Sequence, residues 1–538
     1  MSVRGKALRV KDDLRRSVWV KTRGQRRHSR GNVRRHAGSR RDDADLASRF
    51  AHSAPRIELS LIGDACRFLP MHQLGDYFFC GIGGSGMTPL ALIIQARGGR
   101  VEGSDRALDQ GRNTERFDFL RARGVLLHPQ DGSGICRSSQ ILVTSAAVEE
   151  TVPDVQAARR IGAVVTTRAE LLAQLFNRAA LSVGIAGTSG KSTTVGMIGW
   201  ILDRAGRSPT IVNGADMKNY IEPGTPFASA RVGDGDIFVS EVDESDGSIA
   251  HFEPHMAVVN NISLDHKSLD ELRTLFRGFI ARARIAVLNL DNAETAALAA
   301  ELKRGQVVSY SLRAAAADLL ASHPVQSPTG IAFQVTARDP GEAADVTLKV
   351  PGLHNVANAL AALSVAKACG VSLSEAVTHL GEFSGIRRRL EIVGTANGIT
   401  IIDDFAHNPD KISATLETLH AFPGRLLLVF QPHGYGPLRL MKDALVDCFV
   451  SGLGDEDVLV MPEPVYFGGT VDRSVGSREV ISEIERRGRK AFAFADRGAC
   501  GDALVGLARH SDRIVVMGAR DESLSQFAHE LIRRIGQS

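Results

Sequence analysis

Paired cysteines are missing from this chain of 538 residues. Its six cysteines, Cys66, Cys80, Cys136, Cys369, Cys448 and Cys500, are scattered, and none belongs to a CxxC pair. That pattern argues against a zinc site and against a disulfide framework. It fits small buried hydrophobes in a reducing cytoplasm. A run of eighteen apolar residues is also missing, so no segment reads as a membrane-spanning helix. The charged N-terminal stretch has no apolar region behind it, which argues against a secretory signal. There is no short-period internal repeat, which argues against a solenoid.

What is present is a globular composition, 43% hydrophobic and 23% charged. The length calls for two to four domains, each able to bury a core. The net charge of +4 hides an asymmetry: residues 1–41 hold 15 Lys or Arg against Asp12 and Asp13 alone, so the remainder carries about −9. Residues 1–55 have no hydrophobic periodicity and read as a basic, unstructured extension, with no nucleic-acid partner expected.

From Tyr77 onward, strands and helices alternate, which implies parallel sheets. A first block, 56–178, carries strands near Tyr77–Cys80, Arg100–Gly103, Ile141–Thr144 and Ala163–Val165. A second, 179–390, carries apolar strands at Leu181–Ala186, Ile237–Val239, Ala257–Asn260 and Ile285–Leu288. Its stretch His323–Gly341 reads as a loop or short β insertion, and a helix is expected at Val356–Cys369. A third, 391–538, opens on a strand at Thr400–Asp403 and continues with strands at Leu426–Phe430, Val458–Met461, Ala491–Phe494 and Ile514–Met517. The expected fold is α/β with three domains: Rossmann-like, P-loop ATPase-like and Rossmann-like.

Two glycine loops carry the chemistry. Gly81-Ile-Gly83-Gly84-Ser85-Gly86 matches GxGxxG between a strand and a helix, and Asp105 ends the next strand. Glycines let the backbone approach a phosphate, and the helix N-terminus adds N–H donors and a positive dipole end. The motif alone does not separate NAD from a nucleotide-sugar diphosphate. The second loop, Gly187-Thr188-Ser189-Gly190-Lys191-Ser192-Thr193-Thr194, has a strand before it and a helix after it. Its N–H groups can wrap phosphate oxygens, Lys191 can neutralise β/γ charge, and the Ser192 hydroxyl can ligate Mg²⁺. The spacing departs from the common phosphate loop, because Ile185 stands where its first glycine would be. A strand ending in Glu241, followed by Asp243, Glu244 and Asp246, can offer a metal carboxylate. His266, after a further apolar strand, is a second candidate metal ligand.

These loops, with GSD (103–105), TSAAV (144–148), RAELLAQL (168–175), EVDESDGS (241–248), NNISLDH (260–266), GLHNVANALAAL (352–363), GIRRRLE (385–391), DDFAHNPDKI (403–412), FQPHGY (430–435) and MGARD (517–521), resemble the Mur ligase family over roughly residues 75–530. The resemblance is strongest to members that load UDP-N-acetylmuramate. It implies that Gly83, Gly84, Ser85, Gly86, Asp105 and Ser145 hold the UDP-sugar. It assigns ATP to Gly187, Thr188, Ser189, Gly190, Lys191, Ser192, Thr193, His354, Asn358 and Asp404. Mg²⁺ would fall to Ser192, Glu241 and His266. Lys191, His266, Arg388 and His407 are the implied catalytic residues.

The implied reaction is ATP-driven amide formation. A carboxylate does not react with an amine near neutral pH, because oxide is a poor leaving group. Phosphoryl transfer from ATP makes an acyl phosphate, from which phosphate leaves readily, and cationic groups stabilise charge on the γ-phosphoryl oxygens. The amine is expected to be an amino acid, L-alanine foremost, with a murein peptide as the alternative. Where alanine-adding members carry arginines after FQPH, this chain has Gly434-Tyr435-Gly436-Pro437-Leu438-Arg439.

Overall fold

The computed structural model describes residues 75–538, apart from 146–147, 226, 264–266, 304, 465–471, 520, 522 and 538. The expected extension 1–55, and His266, lie outside the described residues. The chain divides into two compact units, one ending at Arg387 and the other beginning at Arg388.

The first unit contains two sheets. One has five parallel strands: β1 (Asp76–Cys80), β2 (Arg100–Ser104), β3 (Leu126–His128), β4 (Gln140–Thr144) and β5 (Val164–Thr167), in the order β3-β2-β1-β4-β5. The chain leaves β1 for β2 on one side and later returns to β4 on the other. Such a reversal opens a crevice beyond the carboxyl end of β1, where the Gly81–Gly86 loop lies.

The other sheet comprises β6 (Leu181–Ala186), β7 (Thr210–Val212), β8 (Ala230–Arg231), β9 (Ile237–Glu241), β10 (Met256–Val259), β11 (Ile285–Asn289), β12 (Val307–Ser311), β13 (Leu319–Ser327), β14 (Gly330–Ala337) and β15 (Glu342–Leu348). Their order is β15-β14-β13-β12-β11-β10-β6-β9-β7-β8. Strand β6 lies between β9 and β10, parallel to both. Its carboxyl end is therefore a second switch point, and it feeds the Gly187–Thr194 loop. The stretch read as a loop or short β insertion is the latter, an antiparallel ribbon with β14 paired to β15 along Ile331–Ala337. Ile331, Phe333, Val335 and Ala337 alternate inward and are buried, a period of two that the flanking Pro and Gly had obscured.

One apolar cluster joins these two sheets: Phe79, Ile82, Leu90 and Phe117 of the first pack with Phe238, Val259 and Phe279 of the second. This shared core explains why two domains behave as one compact unit. The helix Lys191–Arg204 is buried on almost every side, and it packs with Leu353–Ala368 in a separate cluster under the ribbon. On the same helix, Gly196 leaves room for Ile386: a Cβ there would fall 2.6 Å from Ile386 Cδ1.

The second unit is built on β16 (Glu391–Ala396), β17 (Ile399–Asp404), β18 (Leu426–Gln431), β19 (Val458–Pro462), β20 (Lys490–Phe494) and β21 (Arg513–Gly518). The order is β16-β17-β21-β18-β19-β20, with β16 alone antiparallel to its neighbour. Strands β18 and β21 are buried throughout, as parallel strands covered on both faces must be. Among the described residues, no helix is long and apolar enough to cross a membrane.

Candidate active site

The loop after β6 is shaped by two glycines. Gly187 has φ +128° and Gly190 has φ +82°, conformations that side chains resist. A Cβ on Gly190 would lie 2.4 Å from Asn358 Oδ1 and 2.9 Å from Asn260 Nδ2. The back of the loop is pinned by its neighbours. Thr188 N–H donates to the Asn261 carbonyl (3.1 Å), and Ser189 N–H to Asn261 Oδ1 (2.9 Å). Thr188 Oγ1 and Ser263 exchange hydrogen bonds of 3.2 and 3.0 Å. Lys191, Ser192 and Thr193 then open the helix, with Gly190 as its cap and Thr194 N–H the first to reach an intrahelical carbonyl (Gly190 O, 3.0 Å). The preceding N–H groups of that turn have no intrahelical acceptor, an arrangement that suits an anion.

The charged groups converge on this turn. Lys191 Nζ donates to Gly187 O at 2.8 Å and lies 3.0 and 3.2 Å from the two oxygens of Glu244. Burial works against the Lys191 charge, but the carboxylates of Glu244, Glu241 and Asp243 outweigh it and hold its pKa above the ordinary value. Ser192 Oγ donates to Glu241 Oε2 at 2.8 Å, and Gly214 N–H donates to the same oxygen at 3.0 Å. A hydroxyl beside a carboxylate is a hard oxygen donor set, which suits Mg²⁺ completed by phosphate and water oxygens. Sequence reasoning put Glu241 at this position and gave Glu244 no role of its own. The signal for Glu244 was only its place three residues past the strand end.

Asn358 was expected against the adenine nucleotide. It is buried behind the loop: its Nδ2 donates to Asn355 Oδ1 (3.0 Å), and its Oδ1 accepts from Thr194 Oγ1 (3.2 Å). It holds the loop from behind. His354, one turn earlier on the same helix, is exposed.

At the first loop, Gly84 and Gly86 lie at the foot of the helix Met87–Ala96, where Met87 and Thr88 N–H both reach Gly84 O at 3.0 Å. Ser85 is exposed on the same turn, and Ser145 follows β4, the strand beside β1. Asp105, expected to help hold the UDP-sugar, takes two backbone N–H groups: Gly83 at 2.9 Å on Oδ2 and Ala107 at 2.8 Å on Oδ1. Its carboxylate ties the loop to the end of β2. Arg116, which sequence reasoning missed, is buried and donates to Gly83 O at 2.6 Å.

The remaining candidates belong to the second unit. Arg388, one of the implied catalytic residues, is buried with φ +59°. Its guanidinium donates to Gly518 O (2.7 Å), Asp521 O (3.0 Å) and Asp403 Oδ1 (3.3 Å). It is the bolt that fastens the unit's first turn to the end of β21. Asp404 is likewise buried, and its oxygens accept from Leu390 N–H at 3.2 Å and from the Thr415 hydroxyl at 2.5 Å. His407 sits between two rings, edge-on to Phe405 at 5.3 Å and to His433 at 5.4 Å between centroids. Its Nδ1 lies 2.9 Å from Phe405 O. Burial, then the nearby Lys411 charge, pushes its pKa down to about 3.

A strand, a phosphate loop and a helix with strand-end carboxylates facing its lysine and serine define an α/β enzyme that works on a nucleoside triphosphate. The sheet beside it adds a loop of the nucleotide-diphosphate kind. Three family models match in order along the chain: "Mur ligase family, catalytic domain" at 76–180, "Mur ligase middle domain" at 185–366 and "Mur ligase, glutamate ligase domain" at 388–520. The UDP-N-acetylmuramate–L-alanine ligase of Brucella ovis is 32% identical, covering 86% of this chain and 98% of its own. The enzyme of the same name from Mesorhizobium japonicum is 33% identical, with 86% and 99% covered. The fold is shared with the crystal structure of UDP-N-acetylmuramate-alanine ligase from Thermotoga maritima (TM-score 0.68, 23% identity, 86% and 99% covered). It is shared also with a murein peptide ligase from Psychrobacter arcticus (TM-score 0.63, 23% identity, 86% and 99% covered). The chain belongs to the Mur ligase family and is an ATP-dependent amide-bond-forming ligase.

Proposed function

We propose that this enzyme joins L-alanine to the carboxylate of UDP-N-acetylmuramate, with ATP, in the synthesis of a peptidoglycan precursor. The reading rests on one observation above all: two nucleotide loops stand at the switch points of two sheets that share one core. The first takes the nucleotide sugar and the second the triphosphate. The named activity of relatives at 32–33% identity supports the same acid and amine.

The residues then divide the work. The N–H groups of Gly190, Lys191, Ser192 and Thr193 cradle phosphate, and the Lys191 ammonium meets charge growing on the transferring phosphoryl group. Mg²⁺, when bound, neutralises phosphate charge, and Ser192 with Glu241 would hold it. Phosphoryl transfer to the muramoyl carboxylate gives an acyl phosphate. The amine attacks that carbonyl, phosphate leaves, and the amine gives up its proton. His407 is neutral near pH 7, so it offers a group without positive charge toward an amine. ATP and nucleotide sugars are cytoplasmic pools, which supports a cytoplasmic location.

The experiment is ADP release from ATP with UDP-N-acetylmuramate and a panel of amines. L-Alanine is expected to stimulate release most strongly. Stimulation by a murein tripeptide and not by L-alanine would replace the amine. Absence of stimulation by any amine would overturn the reading.

A further inference from the structure

Arg168 opens the helix Arg168–Asn177, behind a Thr167/Glu170 capping box that fixes its backbone. Its side chain lies across the end of the first glycine loop. A Cβ on Gly86 would fall 2.8 Å from Arg168 Cδ, 3.3 Å from Nε and 3.4 Å from Nη1. The guanidinium therefore overlies the α-carbon of the residue that caps the helix Met87–Ala96. The neighbouring Arg116 is committed to Gly83 O and to the Phe227 ring, 4.5 Å from its centroid. Arg168 is held loosely instead. Its ion pair with Asp246 is long, 4.0 Å from Nη2 to Oδ2, and the two side chains keep 30% and 37% of their exposure.

Asp246 belongs to the acidic segment that also serves the second loop. Its Oδ1 accepts from Ser248 N–H at 2.9 Å, which leaves Oδ2 facing the arginine. Two residues earlier, Glu244 holds Lys191. One short segment thus faces the lysine of one loop and the arginine of the other.

We propose that Arg168 grips the diphosphate of the nucleotide-linked acid at the first glycine loop, exchanging Asp246 for phosphate oxygens as the ligand seats. A guanidinium presents a planar fork matched to phosphate oxygens, and such pairs are stronger than an ion pair open to water. The proposal rests on the nucleotide-sugar reading of that loop.

The test is calorimetric binding of UDP-N-acetylmuramate, UDP and ATP to the full-length enzyme and to Arg168→Met, Arg168→Lys and Asp246→Asn, with thermal melts to verify folding. Arg168→Met is expected to weaken UDP-N-acetylmuramate and UDP alike by about 10- to 100-fold while ATP affinity holds within about twofold. Asp246→Asn is expected to tighten both uridine ligands a few-fold, and Arg168→Lys to fall between. Unchanged uridine-ligand affinity in Arg168→Met would overturn the proposal. So would a loss confined to UDP-N-acetylmuramate, which would move the contact to the sugar acid, or weaker binding in Asp246→Asn. If Arg168→Met does not fold, the lysine and Asp246→Asn variants decide. A wild-type enzyme that binds neither uridine ligand would bring down the nucleotide-sugar reading and this proposal together.

Discussion

Lys191 Nζ and the Glu244 carboxylate form a buried pair, with contacts of 3.0 and 3.2 Å and side chains 14% and 8% exposed. The pair ties the start of the Lys191–Arg204 helix to the segment after β9, across 53 residues of sequence. It fixes where the loop's positive charge stands, while Gly187 O orients the same ammonium.

Lys191→Met is expected to lower ATP turnover by about 10²- to 10³-fold, the scale of losing one positioned charge donor. It also leaves Glu244 buried without its cation, which costs about 3 kcal/mol where a charge stays unpaired. The double variant Lys191→Met/Glu244→Gln removes that penalty. Steady-state ADP release and thermal melts separate the effects: the double variant should regain stability and remain inactive. Turnover near wild type in either variant would contradict the role given to Lys191.

His407 gives the second unit a pH signature. With its pKa pushed down to about 3 by burial, the folded chain keeps it neutral, whereas an unfolded chain protonates it below about 6.5. Its contribution is therefore present above the unfolded value and is lost as pH falls from about 6.5 toward 3. The slope is up to about 1.4 kcal/mol per pH unit. Melts of wild type and His407→Asn between pH 7 and 5 should show a shallower decline in the variant; parallel curves would sink the assignment.

Much of this was legible in the sequence, because parallel strands buried on both faces read as continuous apolar runs and each phosphate loop marks its strand's end. Strand β6, its loop and the following helix need only local signals. The ribbon β13–β15 was legible only as one of two readings, a loop or a short β insertion, since its alternation is interrupted by Pro328, Gly330, Pro340 and Gly341. Residue roles blurred wherever a motif residue faces inward. Arg388 and Asp404 carry the residue types that phosphate chemistry uses, and in the fold they satisfy β21 carbonyls, Asp403, Leu390 N–H and Thr415. Asn358 and Asp105 likewise turn to the loops' own backbone and side chains. Arg116 escaped notice, and Glu244 stood out only as one of an acidic run, because only tertiary contact brings them to the loops.

The central claim is that the γ-phosphoryl group passes to the carboxylate of the nucleotide-sugar acid before the amine attacks. It is tested most directly by labelling that carboxylate with a heavy oxygen isotope and running the reaction with ATP and L-alanine. Mass spectrometry of the released phosphate should find a labelled oxygen carried over from the acid. Amide product formed together with unlabelled phosphate, or label found in AMP, would contradict the account.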